Sequence, residues 1–372
     1  MKETIFLPET IIDAHCHGRD MKQKHKTTVS QTLKEALNGN ISTTVFMPNT
    51  EPPITDLNTL SLYLGLIGQA RISLALKNKQ YLYFGVTDDN LSVCDDALKC
   101  DSVVGLKIYP KKVTTGGNSI GISKKETLKE ALKLAATHGK VVAVHCDDPE
   151  VIANEGHTIK AEVAYLKKVI GCLRQVPRAK TVICHVSCRD SAEMILKAQR
   201  KGLKIGLEIC PHYLWFDSDY ISRIEEMNPG LGLSDLYHCY NKIRSRNNRH
   251  YLIALLRMNN PLIFIGSDNA PHSKTEKFQE KLGGLPTNQE MVAVVVTLAL
   301  RLGISEAHLA NLLCHNTANF LGIPVSIKTR KYKLVKKADD IEYNNGTVVN
   351  PWNGSELYFP IPVNNERKNY DH

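Results

Sequence analysis

Between Thr10 and Asp268 the sequence repeats one pattern: a short run rich in β-branched residues, then a longer helix-like segment. The runs are TIIDAHCH, STTVFMPN, YLYFGVT, VVGLKIYP, KVVAVHC, KTVICHV, KIGLEIC and LIFIGSD. Most are continuous apolar stretches, the form a strand takes when both faces are buried in a parallel sheet. Parallel strands need a crossover, and the intervening segments are amphipathic. In KKETLKEALKLAATHGK, Leu128, Leu132, Ala135 and Ala136 fall at helical spacing, with Gly139 as a stop signal. RDSAEMILKAQRKG is similar, with Asp190 expected as N-cap and Gly202 as C-cap. Eight such units over about 260 residues predict a parallel (β/α)8 TIM barrel. The alternative is an open doubly wound sheet, but the first strand–helix turn lacks the Gly-rich phosphate loop of that fold.

The chain is read as one domain, residues 1–372, with the barrel over about 11–320. Beyond it, NNGTVVNPWNGSEL reads as loop and short strand covering one end of the barrel, and VNNERKNYDH as a loose tail. The opening MKETIFLPET has no apolar signal core, and no run approaches the roughly 18 apolar residues of a membrane span. Ten cysteines without a C-x-x-C pair read as reduced thiols, which fits a cytoplasmic protein. The net charge of +9 is dispersed, apart from KTRKYKLVKK, and aromatics make up only 6%. With no nucleic-acid motif visible, the charge reads as a basic surface that favours small anionic substrates.

The strands share a second property: their C-terminal ends carry metal-binding residue types. Strand one ends in His15 and His17, strand five in His145, strand six in His185, and strand eight in Asp268 with His272 four residues on. In a barrel these ends converge on one face, where barrel enzymes keep their active sites. A single histidine on an apolar strand reads more simply as a satisfied core residue. Four histidines and an aspartate at strand ends of one barrel point instead to zinc or a similar divalent ion. By strand alternation His15, His17 and Arg19 are expected on one face. Lys107 stands inside the apolar run VVGLKIYP. Its head either reaches solvent or a carboxylate, or is deprotonated, or is converted by CO2 to a carbamate that bridges two metals.

DAHCHGRD, MPNTEPP, GLKIYP, VHCDDPE, ICHVS and GSDNAPH, in this order over roughly residues 11–290, resemble the dihydroorotases of the amidohydrolase superfamily. The likeness is to the shorter, barrel-only bacterial type, in which two threonines follow the lysine as Thr114 and Thr115 follow Lys107 in KIYPKKVTTGGNSIGI. The resemblance implies two divalent ions, zinc by expectation. His15, His17 and Asp268 would bind one and His145 and His185 the other, with carboxylated Lys107 and a hydroxide as bridges. Asp268 would also shuttle the proton. Arg19 and Asn49 would hold the substrate carboxylate, and His272 the same anion or the ring. The loop with Thr114 and Thr115 would close over the substrate, and Tyr240 would lie near the pyrimidine ring. The implied activity interconverts dihydroorotate and N-carbamoyl-aspartate in pyrimidine synthesis, in a homodimer.

Arg19 separates this reading from its nearest rivals. A guanidinium pairs bidentately with a carboxylate, and hydantoinase, dihydropyrimidinase and allantoinase substrates lack that group at this position. A non-catalytic dihydroorotase-like subunit is the third reading, and it would be expected to lose metal ligands that are all present here. Gly18 departs from the family, which has a large apolar residue there, and Asn269 replaces a small one. In CPHYL, His212 is read as structural.

Overall fold

A computed structural model of the chain describes residues 3–114, 120–338 and 341–368. After an N-terminal strand, β1 (Thr4–Pro8), come eight parallel strands: β2 (Ile12–Cys16), β3 (Thr43–Phe46), β4 (Tyr81–Gly85), β5 (Val103–Ile108), β6 (Val141–Val144), β7 (Lys180–Ile183), β8 (Lys204–Ile209) and β9 (Ile263–Ile265). Each lies inside one of the eight predicted runs. They pair in chain order from β2 to β9 and form a nearly closed barrel. The seam closes at the C-terminal ends, where Cys16 bridges Asn269. There the His17 amide donates to Asn269 O (2.9 Å) and the Asp268 amide to His15 O (2.8 Å).

The barrel interior is filled by Ile12, Ala14, Val45, Tyr83, Val182 and Phe264, among others. Its lower end is plugged by Ala318, Phe320 and Leu321 from the helix Asn316–Leu321. The outer strand faces pack on the helices. Lys125–Thr137 buries Leu128, Leu132 and Ala135 but not Ala136, and each such leucine stabilises by roughly 2 kcal/mol. The helix Arg189–Arg200 starts earlier than expected, with Cys188 at the N-cap and Asp190 in the first turn, where a carboxylate favours the helix dipole. It ends at Lys201, and Gly202 follows with φ 83°.

A bulge in β2 sets the site. Between Asp13 and Cys16 the strand gains a residue relative to β3. Ile12 and Ala14 face the interior, while Cys16 packs outside. The extra residue shifts the alternation by one, so His15 and His17 follow Ala14 inward.

A second, antiparallel sheet was not legible in the sequence: β1 pairs with β10 (Thr329–Lys337), and β10 with β11 (Leu357–Lys368). The basic run KTRKYKLVKK is largely its central strand, with Tyr332 and Leu334 buried and Lys333 and Lys336 exposed. The run is therefore one solvated strand face. The expected loose tail is corrected in part, because β11 continues to Lys368; residues 369–372 lie outside the described ones. NNGTVVNPWNGSEL is mostly turn rather than strand. It packs on the loop beyond β9, where Trp352 Nε1 donates to Pro286 O (3.0 Å), and Tyr343 just before it accepts at Oη from the Gln289 amide (2.9 Å). All ten cysteines are free thiols. Among the described residues no helix is long and apolar enough to cross a membrane.

Candidate active site

His15 Nε2, His17 Nε2 and Asp268 Oδ1 form a triangle with sides of 3.3, 3.2 and 3.2 Å. Donors about 2.1 Å from a tetrahedral ion stand about 3.4 Å apart, so the triangle fits one metal. Beside it, His145 Nδ1 and His185 Nε2 are 3.0 Å apart. The two groups adjoin, with the His15 and His185 rings 5.3 Å apart. His185 (φ 39°) and Asp268 (φ 50°) both adopt left-handed backbone. Each such residue costs roughly 1–3 kcal/mol and persists where its surroundings hold it. Here the Asp268 amide is held by His15 O and the His185 amide by Glu208 Oε1 (2.9 Å).

Buried partners orient these imidazoles, the arrangement a metal-binding histidine would require. His15 Nδ1 donates to Glu208 Oε1 (2.8 Å), so one carboxylate serves residues of both groups. His17 Nδ1 donates to Asn49 Oδ1 (2.6 Å). Asp147 lies 4.0 Å from His145 Nε2 and accepts a short hydrogen bond from His157. Asp13 accepts from the Ser267 amide (2.7 Å) and the His15 amide (3.0 Å), tying β2 to the end of β9. Burial lowers His15 and His185 to about 3 and His17 to about 4, and takes His145 well below its ordinary value. All four are thus neutral at pH 7, the form that binds a metal.

Lys107 is fully buried on β5. Its hydrogen-bond partner is Cys184 Sγ, at 2.8 Å, and the Tyr109 ring lies 4.9 Å away. The reading in which its head reaches solvent is not met. No carboxylate forms an ion pair with it among the described residues.

Above this cluster lies a pocket. Arg19, Asn49, Thr114 and Tyr240 line it, as expected. Arg19 is placed by a turn rather than by strand alternation: β2 ends at Cys16, and Arg19, Asp20 and Met21 all have positive φ. The guanidinium is buried and its Nε has no partner among the described residues, while Nη1 reaches Asn49 O at 3.5 Å. Asn49 holds His17 through its side-chain oxygen and keeps its amide donors for the pocket. Thr115 lies outside the described residues. His272 adjoins the pocket through Gly283 and Gly284 and is not among its lining residues. Its Nε2 donates to Gly283 O (3.2 Å), its Nδ1 faces Lys26 Nζ (3.4 Å), and Gly283 is what lines the pocket. His212 is buried, does not line the pocket, and has no partner for either ring nitrogen.

Sequence reasoning missed Glu208, Tyr109, Asp147, His157 and Cys184. Glu208 had a usable signal: it is the one acid in the apolar run KIGLEIC. Tyr109, whose buried hydroxyl has no partner among the described residues, lines the pocket from just beyond the end of β5.

Residues 10–329 match the amidohydrolase family. The dihydroorotase of Thermococcus kodakarensis is 30% identical over 339 residues, covering 91% of this chain and 73% of that protein. The dihydroorotase of Pyrococcus abyssi is 30% identical over 297 residues, covering 79% of this chain and 63% of its own. Among solved structures, Saccharomyces cerevisiae dihydroorotase in complex with 5-fluoroorotic acid superposes with a TM-score of 0.82 at 18% identity, covering 97% of this chain and 99% of that one. L-Hydantoinase (dihydropyrimidinase) from Arthrobacter aurescens gives 0.80 at 21% identity, over 96% and 83%. Likeness at those identities speaks for the fold. The sequence match takes in all eight barrel strands and the residues at their ends, so the chain belongs to the amidohydrolase family, alongside the dihydroorotases, and is a hydrolase of cyclic amides.

Proposed function

We propose that this chain is a dihydroorotase, interconverting (S)-dihydroorotate and N-carbamoyl-L-aspartate in pyrimidine synthesis. Arg19 carries the reading. It is a buried guanidinium on the pocket wall, and its Nε is unpartnered among the described residues. A buried cation is costly unless an anion meets it, and dihydroorotate brings a carboxylate on its ring. Hydantoin and dihydrouracil do not.

Two divalent ions fit the donor set, with zinc favoured by imidazole and carboxylate ligands. His15, His17 and Asp268 would hold one and His145 and His185 the other, with a carbamate on Lys107 between them. When bound, the ions supply a nucleophile at neutral pH and polarise the amide carbonyl. The chain's own residues do the rest. Arg19 and the Asn49 amide fix the substrate carboxylate and so orient the ring. Asp268, 3.2 Å from both imidazole nitrogens, takes a proton from the attacking water and delivers it to the ring nitrogen as the amide bond breaks. In ring closure it runs the same transfer in reverse. Thr114 and Thr115 cover the bound ring, Tyr240 flanks it, and His272 acts through the wall by holding Gly283. The reading extends to a cytoplasmic homodimer.

The test is substrate preference. Dihydroorotate is expected to exceed dihydrouracil, hydantoin and allantoin in kcat/KM by about 100-fold or more, the discrimination a buried charge partner gives. Preference for an uncharged ring would assign the chain to the hydantoinase-like hydrolases. Binding of less than one metal per chain, with no turnover of any ring, would favour a non-catalytic subunit.

A further inference from the structure

Lys107 and Cys184 meet inside the barrel, two strands apart. Lys107 is in register with Ala143 on β6, and Ala143 with Val182 on β7. Cys184, two residues beyond Val182, faces the same interior. Ala143 stands between the two and is too small to part them. Lys107 Nζ and Cys184 Sγ are 2.8 Å apart, and both side chains are buried.

A thiol is a poor match for a buried ammonium. It is a weak acceptor and cancels none of the charge. It suits a carbamate better, because a carboxylated lysine is neutral at nitrogen, planar there, and keeps a single N–H. That N–H is sealed from water and needs one acceptor, which Sγ provides.

We propose that Cys184 is a positioning residue for carboxylated Lys107: its Sγ accepts the one remaining N–H and so turns the carboxylate toward the imidazoles of His15, His145 and His185. This rests on the carbamate reading above. In the underlying step the lone pair of the neutral amine attacks the carbon of CO2. The N–C bond forms as one C=O π pair moves onto oxygen, and one N–H proton leaves to solvent water. Nothing is oxidised or reduced, and Sγ forms no covalent bond. Because the addition is reversible, occupancy of the carbamate follows dissolved CO2. Loss of the acceptor shifts that balance toward the free amine.

The experiment uses the full chain, stripped of metal, equilibrated with 13C-bicarbonate over a range of concentrations and then supplied with zinc. The carbamate carbon is read by 13C NMR, with Lys107→Ala as the blank. Cys184→Ser keeps an acceptor and is expected to titrate like the wild type. Cys184→Val fills the space without one and is expected to need about tenfold more bicarbonate for half occupancy, the order expected for one buried hydrogen bond. Cys184→Ala, which is smaller, is expected to show the same shift, and circular dichroism checks that each variant is folded. Half occupancy at the wild-type concentration in either Val or Ala overturns the role of Cys184 and leaves carboxylation standing. No carbamate carbon in the wild type at saturating bicarbonate overturns carboxylation, and this inference with it.

Discussion

Gly18 sits between His17 and Arg19, and no side chain fits there. A Cβ at this position would lie 2.6 Å from Phe46 Cε1 and closer still to the Tyr63 hydroxyl. Those two rings, one on β3 and one on the helix Leu57–Ser73, stand edge to face at 5.8 Å and occupy that space. The next residue, Arg19, yields the sharpest prediction at this scale. Arg19→Met should lower kcat/KM for dihydroorotate by about 100-fold, the order expected for a charged hydrogen-bonded pair, with zinc per chain unchanged by elemental analysis. Loss of zinc instead would make Arg19 a support for the metal ligands. Among the candidate residues, His15, His17, His145, His185 and Asp268 were legible as a cluster because each ends an apolar run and the barrel gathers those ends on one face; the β2 bulge and the left-handed backbone at His185 and Asp268 that aim them were not. The place of Arg19 on the pocket wall was legible but its backbone geometry was not, since three residues of positive φ cannot be read from GRDM.

At the scale of elements, the C-terminal segment braces the active-site wall. Trp352 is buried against Phe216 (4.6 Å between ring centres), and its indole holds the Pro286 carbonyl two residues after Gly284. Trp352→Ala should cost about 3–5 kcal/mol in urea unfolding, the range for a buried aromatic, and raise KM because the wall loses its brace. An unchanged KM would limit Trp352 to stability. Close by, Glu290 accepts hydrogen bonds from Asn350 (2.7 Å) and Tyr343. Burial raises its carboxyl from 4.5 to about 7. Between those values the unfolded chain releases the proton and the folded chain keeps it, so this group weakens the fold as pH rises through the window and adds nothing further above it. Relative to wild type, Glu290→Gln should therefore gain stability from about pH 4.5 to 7, by up to about 3 kcal/mol. Urea unfolding at several pH values measures this, and a flat difference would contradict it. The eight barrel strands were legible because burial on both faces leaves an unbroken apolar signature. β1, β10 and β11 were not: β1 is only five residues long, and β10 alternates lysines with its buried Tyr332 and Leu334. Their pairing, Thr4 with Lys333 for instance, also spans most of the chain.

At the scale of the whole molecule, four neutral imidazoles and a carboxylate are gathered in one buried cluster, and ions binding there stabilise only the folded state. Removing metal with a strong chelator should abolish turnover and lower Tm by about 5 °C or more, and both should return with zinc. A chain whose Tm ignores chelation would have its cluster preformed without any contribution from metal.

The barrel seam adds a constraint on timing. His17 and Asp268 meet across 251 residues of sequence, where β2 joins the end of β9. At about 5–20 residues per second of synthesis, the first two histidines wait roughly 10–50 s before their carboxylate partner exists. The cluster of His15, His17 and Asp268 therefore cannot be completed from the N-terminal half of the growing chain. It comes together only when the end of β9 meets β2, so an ion bound by all three would be held only after the barrel seam has formed.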